Sequence, residues 1–257
     1  MLIDLHNHTP LCNHAKGEPE EYIKKAVEKG IEVYGFADHA PMEFDYEYRM
    51  GFEDMQKYEE KIRSLSQKYD NIKILLGYEV DFTPVIDKRV LQRDVDYLIG
   101  SVHFLDNWGF DNPEFIKEWH SRDVDDVYGE YFSLIEKLAK SRLFNIIGHI
   151  DLVKVFGYKP KKPVKDIAKN AIKAIKKAGM AVELNTAGLR KPVKELYPGD
   201  EILEMLLEEN IDITFSSDAH SPEQVGYMLK ETVQKAKNLG FSQAVYFEKR
   251  SKRVVKL

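Results

Sequence analysis

The sequence has little of several features that define whole classes of protein. It contains one cysteine, Cys12, so no disulfide can form within the chain, and packing or bound metal must hold the fold. No apolar run approaches the roughly 18 residues that a membrane-spanning helix needs. The first four residues, Met-Leu-Ile-Asp, lack the basic and apolar regions of a secretory signal. These absences predict a soluble, cytoplasmic protein without a membrane partner.

Positive charge is not in excess either. The chain has 38 Lys and Arg residues against 43 Asp and Glu residues, for a net charge of -5. Binding to long nucleic acids relies on basic surfaces that neutralise phosphates, and no basic arm or stripe is present. No phosphate-binding loop of the G-x-x-x-x-G-K-[ST] type occurs. The composition therefore predicts no nucleic-acid partner, although small phosphorylated molecules stay open as ligands.

Two periodicities alternate along the 257 residues. Short runs rich in β-branched residues predict strands at residues 2–6, 33–38, 72–81, 97–103, 144–149, 181–185, 212–217 and 243–248. Longer amphipathic patterns between them predict helices at residues 19–29, 52–68, 87–93, 123–141, 165–178, 200–209 and 222–239. This alternation, without a linker or low-complexity tract, predicts one α/β barrel domain over residues 1–257, with seven or eight βα repeats. An open doubly wound sheet is the alternative.

Histidines and acids recur where the predicted strands end. They are His6, His8, His39, Glu79, His103, His149, Asp218 and His220. In a barrel these ends form a single face, where active sites are built. Imidazoles and carboxylates together suit Zn, Mn or Fe, and one carboxylate can bridge two ions. His6 and His8 point the same way on a strand and can chelate one ion. The pattern predicts two or three divalent transition-metal ions.

Six short motifs carry a resemblance to a known family: Asp-Leu-His-Asn-His-Thr at 4–9, Asp-His-Ala-Pro at 38–41, Gly-Tyr-Glu-Val-Asp at 77–81, Ser-Val-His-Phe at 101–104, Gly-His-Ile-Asp at 148–151 and Ser-Asp-Ala-His at 217–220. Together they resemble the polymerase and histidinol phosphatase (PHP) superfamily over nearly the whole chain. Residues 185–191, Asn-Thr-Ala-Gly-Leu-Arg-Lys, and 224–227, Gln-Val-Gly-Tyr, are similar to its histidinol-phosphatase branch.

This resemblance implies a distorted, TIM-like (β/α)7 barrel with three divalent ions. The first ion would be bound by His6, His8, Glu79 and Asp218. The second would share the bridging Glu79 and add His103 and His149, and the third would take His14, His39 and His220. His14 is assigned by the resemblance alone, because its position in a loop gives no periodic signal. The implied reaction is the hydrolysis of L-histidinol phosphate to L-histidinol and phosphate in histidine biosynthesis.

The chemistry of such a centre follows from general principles. A hydroxide held between two ions is formed near neutral pH and is fixed for in-line attack on phosphorus, so no protein nucleophile is needed. Glu79 would be essential as the bridge. The leaving alkoxide needs a proton or a metal, and Asp218, His39 or His220 could assist. The sequence does not distinguish a ligand from a general acid, so that role is left unassigned.

Two cations are candidates for contacts with the substrate's phosphate. Arg190 matches the phosphate-binding arginine of the family, and its planar guanidinium suits two phosphoryl oxygens. Lys154 follows the predicted strand at residues 144–149, where the family places another cationic contact. For each, the alternative is a solvated surface charge. The loops at residues 43–48 and 108–119 could offer carboxylates and aromatic faces to the substrate's ammonium and imidazole, or could simply pack.

Two motifs of other phosphatase classes are excluded by their context in the sequence. Asp123 begins a pattern typical of haloacid-dehalogenase phosphatases, but no apolar strand precedes it, so a helix cap is predicted instead. Cys12 is not a tyrosine-phosphatase nucleophile, because Glu18 stands where that motif needs arginine. Two alternatives of function stay open. One is a nucleotide phosphatase or phosphodiesterase using the same metals, and the other is a non-catalytic metal-binding module.

Overall fold

The computed structural model describes all residues, 1–257. Its strands are β1 (Ile3–Asp4), β2 (Val33–His39), β3 (Lys73–Asp81), β4 (Tyr97–Ser101), β5 (Phe104–Leu105), β6 (Trp108–Gly109), β7 (Ile146–Ile147), β8 (Ala181–Asn185), β9 (Ile213–Ser216), β10 (Gln243–Glu248) and β11 (Ser251–Lys256). Seven of them form one parallel sheet in the order β1-β2-β3-β4-β7-β8-β9. The strands of this sheet follow one another along the chain, with the separate β5–β6 hairpin inserted between β4 and β7, as a βα-repeat architecture requires.

The two outer strands of this sheet also meet. The amide of Leu5, just after β1, donates to the carbonyl of Phe215 in β9 at 3.0 Å. Beyond the strand ends, Asn7 and Ala219 form a further parallel bridge. The seven strands therefore form a nearly closed barrel. This confirms the predicted (β/α)7 architecture, and the open doubly wound sheet is wrong.

Seven helices connect the strands: α1 (Pro19–Glu28), α2 (Met55–Lys68), α3 (Lys88–Leu91), α4 (Val124–Ser141), α5 (Val164–Ala178), α6 (Asp200–Glu208) and α7 (Leu229–Leu239). Each longer helix presents an apolar stripe to the barrel and its charges to solvent. In α5, Ala168, Ala171, Ile172 and Ile175 are buried at helical spacing. None of the helices is both long and apolar enough to cross a membrane.

The last predicted helix is interrupted. Residues 222–239 form a 3-10 turn, Pro222–Gln224, and then α7 from Leu229. Between them, Gly226 and Met228 adopt left-handed backbone angles, with φ of 59° and 50°. A helix cannot continue through such residues, so the prediction of one continuous helix is wrong there.

Asp123 caps α4, as the sequence predicts. Its carboxylate accepts hydrogen bonds from the backbone amides of Asp125, at 2.8 Å, and Asp126, at 3.3 Å. These are amides that an uncapped helix start leaves without partners. The residue is therefore structural, and the resemblance of its surroundings to a phosphatase nucleophile motif carries no function.

The barrel interior is filled by a tyrosine. The Tyr97 hydroxyl donates to the carbonyl of Leu5 at 2.6 Å, and its ring crosses β2 and β3 at Gly35 and Gly77. A Cβ atom at either glycine would collide with the tyrosine, so both strands need glycine at this level. The middle of the barrel is a packed core, and any ligand must bind at its ends.

The end of the chain departs from the predicted βα repeat. The predicted strand at residues 243–248 exists as β10, but it pairs antiparallel with β11 and does not join the barrel. Lys249 and Arg250 form the turn with φ of 47° and 64°. β11, with the sequence Ser-Lys-Arg-Val-Val-Lys, is largely exposed and was not predicted. Its charges mask the alternation that marks a strand in the sequence.

Candidate metal centre

The predicted strand-end residues meet at the carboxyl end of the barrel. The parallel register places His39 of β2 directly beside Glu79 of β3. His6, His8, Glu79 and His149 are buried, and His39, His103, Asp218 and His220 keep limited solvent access. The structure thus gathers in one cluster all eight residues that the strand pattern selected. A lone buried histidine is usually structural, but a cluster of this composition is not explained by packing.

Glu79 lies at the centre of the cluster. Its Oε2 atom is 3.2 Å from His6 Nε2 and 3.0 Å from His39 Nδ1. Its Oε1 atom is 3.0 Å from His149 Nε2 and 3.5 Å from His103 Nε2. The two carboxylate oxygens therefore face two different groups of imidazoles. This is the geometry that a carboxylate needs in order to bridge two ions.

Two of the implied ligand sets form compact groups. His6, His8 and Asp218 bring donor atoms within 4.8 Å of one another, and His8 Nε2 is 3.1 Å from Asp218 Oδ1. Glu79, His103 and His149 form a second such group. Asp218 has a left-handed backbone, with φ of 51°. Non-glycine residues in this region are uncommon and concentrate at functional sites.

The third implied set is looser. The ring centroids of His14, His39 and His220 are separated by 4.7 Å (14 to 220), 5.3 Å (14 to 39) and 6.2 Å (39 to 220). His14 lies on an exposed turn. His220 shares one donor group with His8 and His39, and another with His14 and Cys12. The thiol of Cys12, which the sequence pattern did not select, is buried beside this set.

The residues fit divalent metal ions. His6 Nε2 and His39 Nδ1 are buried and have no hydrogen-bond partner, although each lies within 3.2 Å of Glu79 Oε2. Buried polar atoms are normally paired, so orphaned nitrogens that converge on a carboxylate call for a missing partner. Imidazole nitrogens with carboxylate oxygens form the donor set of Zn, Mn and Fe. The cluster is therefore a candidate metal centre.

Three carboxylates behind the cluster were not selected from the sequence. Each contacts the Nδ1 atom of a histidine whose Nε2 faces Glu79 or Asp218. The pairs are Glu183 with His6 at 3.0 Å, Asp81 with His103 at 2.7 Å and Asp38 with His8 at 3.3 Å. Such contacts fix the tautomer and orientation of a metal-binding imidazole.

Glu183 is a fully buried member of this group of carboxylates. It stands on β8 with no solvent exposure and accepts hydrogen bonds from the amide of His149 at 2.7 Å and the hydroxyl of Ser216 at 2.8 Å. It therefore holds His6 and the backbone of His149 together. One sequence signal could have found it, because an acid in the middle of an apolar strand, residues 181–185, is rare without a partner.

Negative charge dominates the electrostatics of the cluster. Burial alone would raise the pKa of Glu79, but the charges of His6, His39 and His103 hold it well below its usual range. Burial lowers the pKa of His39 to about 4. Burial would also lower the pKa of His6, but the charges of Glu183 and Glu79 raise it well above normal. A proton and a metal ion compete for the same lone pairs of these nitrogens. The carboxylates that stabilise a proton there therefore also stabilise a bound divalent cation.

Arg190 lies beside the cluster, as the resemblance implies. Its Nη2 atom donates to the carbonyl oxygens of Ser217, at 2.8 Å, and Asp218, at 3.0 Å. Its Nη1 atom is buried and has no partner. Its guanidinium also lies over the ring of Tyr227, at 5.4 Å. One edge of the guanidinium is thus anchored to the protein, and the other has a donor free for a ligand oxygen.

Lys154 is in a different situation. Its ammonium lies 2.9 Å from Asp151 Oδ2 and 3.3 Å from Glu195 Oε2, and it donates to the carbonyl of Leu196 at 2.7 Å. The side chain is buried. Its charge is neutralised by protein groups, which counts against the expected contact with phosphate. It also does not fit the alternative of a solvated surface charge.

The two loops proposed to surround the substrate differ, because residues 43–48 are mostly exposed whereas the two tryptophans of residues 108–119 are buried. In the first, Asp45 pairs with Arg49 at 2.6 Å, and Arg49 also contacts Asp81 at 3.0 Å. In the second, the rings of Trp108 and Trp119 lie 5.2 Å apart. Packing therefore accounts for the two tryptophans, but not for Phe44 and Tyr46 of the first loop, whose rings are exposed. The histidine that has no assigned role, at position 120, is exposed.

Comparison with known proteins agrees with the resemblance seen in the sequence motifs. Residues 4–187 match the PHP domain family. A protein of Deinococcus radiodurans named probable histidinol-phosphatase is 40% identical over 246 residues, covering 93% of this chain and 94% of its own. Histidinol-phosphatase of Bacillus subtilis is 29% identical over 256 residues, covering 87% of this chain and 95% of its own.

The barrel is also similar to a solved structure. Histidinol phosphate phosphatase from Lactococcus lactis, in complex with Zn, L-histidinol and phosphate, aligns with a TM-score of 0.82. The alignment covers 98% of each chain at 20% sequence identity. At this identity the similarity concerns the fold.

Proposed function

The chain belongs to the PHP domain family, and on this premise we propose that it is a metal-dependent phosphomonoesterase that hydrolyses L-histidinol phosphate to L-histidinol and phosphate. The observation that carries the proposal is the cluster around Glu79, where imidazoles face both carboxylate oxygens. The 40% identity with a probable histidinol-phosphatase along nearly the whole chain supports the substrate and a role in histidine biosynthesis.

We further propose that residues 1–257 act as one PHP-type barrel domain and hold three divalent ions of Zn, Mn or Fe. The ligands would be His6, His8, Glu79 and Asp218 for the first ion, Glu79, His103 and His149 for the second, and His14, His39 and His220 for the third. Zn in the Lactococcus lactis enzyme supports a transition metal here. Such ions supply charge that acidifies water for attack on phosphorus and neutralises the phosphoryl oxygens.

The protein's own groups would then position the reaction. Glu79 keeps two ligand sets at a fixed separation through its two oxygens. Glu183 orients the ring of His6 from behind. The free Nη1 atom of Arg190 would donate a hydrogen bond to a phosphoryl oxygen, while Nη2 continues to donate to the backbone carbonyls after β9. Positioning of this kind contributes much of the barrier reduction in phosphoryl transfer.

The candidates for protonating the leaving group also act as ligands in this proposal. Burial lowers the pKa of His39 and of His220, so both imidazoles are neutral at pH 7. Burial would raise the pKa of Asp218, but the charge of His6 and a hydrogen bond from His8 hold it well below normal. These pKa directions favour the unprotonated forms of all three side chains. All three instead offer lone pairs to a cation.

Replacing Arg190 by Ala is expected to raise KM for L-histidinol phosphate by about tenfold to a hundredfold, because a charge-assisted contact to phosphate is lost. Metal content is expected to stay unchanged, since Arg190 donates hydrogen bonds and cannot bind a cation. Steady-state kinetics and metal analysis on the same preparation check this. Arg63→Ala, on the exposed face of α2, is the matched control. An unaltered KM in Arg190→Ala would show that Arg190 does not bind the substrate's phosphate.

The proposed function is tested by removing and restoring metal. Protein treated with a chelator is expected to release no phosphate from L-histidinol phosphate, and Mn or Zn added back is expected to restore turnover as about three ions bind per chain. Full activity of metal-free protein would contradict the proposal. Restored metal binding without turnover of any phosphate ester would favour a non-catalytic metal-binding module.

A further inference from the structure

A short hairpin folds back beside the metal centre. β5 begins at Phe104, directly after His103, and Phe104 pairs with Gly109 of β6. The chain that leaves β6 therefore returns to the side of the barrel from which His103 projects. Residues 110 and 111 are the first two after this hairpin. The ring of Phe110 packs against Tyr131 at 5.4 Å, and the Tyr131 hydroxyl donates to the carbonyl of His149 at 3.2 Å, so residues 110 and 111 lie near the His103–His149 part of the cluster.

The backbone around Asp111 is fixed on both sides. The amide of Asn112 donates to the carbonyl of Gly109 at 3.1 Å, closing a turn. The indole of Trp119 donates to the carbonyl of Phe110 at 2.9 Å, and the side chain of Phe110 is completely buried. The position of Asp111 is thus set by contacts that do not involve its own side chain.

The carboxylate of Asp111 has no partner. It forms no hydrogen bond or ion pair, and the residue is only partly exposed. Burial raises its pKa, while the charges of His103, Lys191 and His149 lower it. By contrast, Asp81 is paired with both His103 and Arg49. A partly desolvated carboxylate with no partner in the protein is well suited to a cation that a ligand supplies.

The substrate supplies such a cation close to its phosphate. In L-histidinol phosphate two carbon atoms separate the ammonium from the ester oxygen, whereas the imidazole is attached farther along the side chain. With the phosphate held between the metal centre and Arg190 on the β8–β9 side, the ammonium must lie near the cluster. We propose that Asp111, on the β4–β7 side, binds this ammonium and sets the preference for amino-alcohol phosphates. This inference rests on the proposed function.

The inference is tested with two substrates that differ only in the amine. These are L-histidinol phosphate and 3-(imidazol-4-yl)propyl phosphate, which share the phosphate, the primary leaving alcohol and the imidazole. Asp111→Asn is expected to lower the ratio of their kcat/KM values by about thirtyfold or more, chiefly through KM for L-histidinol phosphate, because a charge pair is lost. Asp111→Glu is expected to recover part of that ratio.

Binding of the product alcohols gives a readout independent of turnover. Calorimetry is expected to show weaker binding of L-histidinol to Asp111→Asn, with a smaller change for 3-(imidazol-4-yl)propanol. Asp106→Asn is the matched control, since Asp106 lies on the exposed turn of the same hairpin and its φ of 52° is tolerated by Asn. An unchanged substrate ratio, or an equal loss for both phosphates, would overturn the inference.

Separate measurements test the proposed function and the role of Asp111. Turnover of L-histidinol phosphate by the unmodified protein decides the proposed function. The change of the substrate ratio in Asp111→Asn decides the role of Asp111, given that turnover. A folded Asp111→Asn protein, checked by its thermal unfolding, is expected because the side chain makes no hydrogen bond whose loss would destabilise the fold.

Discussion

Glu79→Gln is expected to lower kcat/KM for L-histidinol phosphate by about a thousandfold or more and to reduce the bound metal. The carboxylate faces the ligand set of the first ion through Oε2, which is near His6, and the set of the second ion through Oε1, which is near His103 and His149. An amide has the same shape, but its nitrogen cannot bind a cation. Excess metal is therefore not expected to restore activity. Metal analysis and kinetics at rising Mn concentration check both statements.

Glu59→Gln is the matched control for this change. Glu59 is also a buried glutamate, but it lies on α2, where Arg93 and the hydroxyl of Tyr78 bind it at 2.6 and 3.0 Å. Tyr78 and Glu79 are adjacent on β3 and point to opposite faces of the strand. Glu59→Gln is expected to reduce stability while leaving metal content unchanged. If Glu79→Gln and the unmodified protein had equal metal content and activity, Glu79 would not be the residue that bridges two ions.

Glu183→Gln is expected to weaken metal binding by about tenfold to a hundredfold without removing the ability to turn over substrate. Glu183 contacts no ion in this proposal. It holds the Nδ1 atom of His6 and the amide of His149, so that His6 presents Nε2 to the cluster. With an amide in its place, one of these donors faces an NH2 group, and the orientation of His6 is no longer fixed.

The response to added metal separates Glu183 from Glu79. For Glu183→Gln, kcat is expected to approach that of the unmodified protein as Mn is raised, whereas Glu79→Gln stays inactive. The free energy of unfolding is also expected to fall, by about 1–3 kcal/mol, because a buried donor is left unsatisfied. Activity that excess metal does not restore would show that Glu183 takes part in the reaction more directly than through His6.

Much of the fold follows from periodicity in the sequence. Apolar strands with Val, Ile and Leu alternate with amphipathic helices, and a parallel barrel buries both kinds of surface. The misjudged segments are those where local geometry overrides the pattern. Left-handed residues at 226 and 228 break the expected helix, and the Lys249–Arg250 turn sends β10 into a hairpin with β11. Neither turn has the Asn-Gly or Asp-Gly signature that the sequence could have revealed.

The candidate site could be predicted where residues share a strand end, because parallel strands bring their carboxyl ends together. Residues that lie deeper or in loops could not be found this way. Glu183 sits one level below the cluster, and Asp111 is brought in by a hairpin that the periodicity does not show. The ion pair of Lys154 could not be predicted either, since its partner Glu195 lies 41 residues further along the chain and sequence spacing does not reveal it.

The most direct test compares substrates with Mn or Zn supplied. Phosphate release would be measured as kcat/KM for L-histidinol phosphate, AMP, other monoesters and a phosphodiester. We expect a preference of about a hundredfold or more for L-histidinol phosphate, which corresponds to roughly 2.7 kcal/mol of transition-state discrimination. Preference for a nucleotide or a diester would contradict the assigned substrate while keeping the metal chemistry. Absence of turnover with every ester would contradict the phosphatase assignment itself.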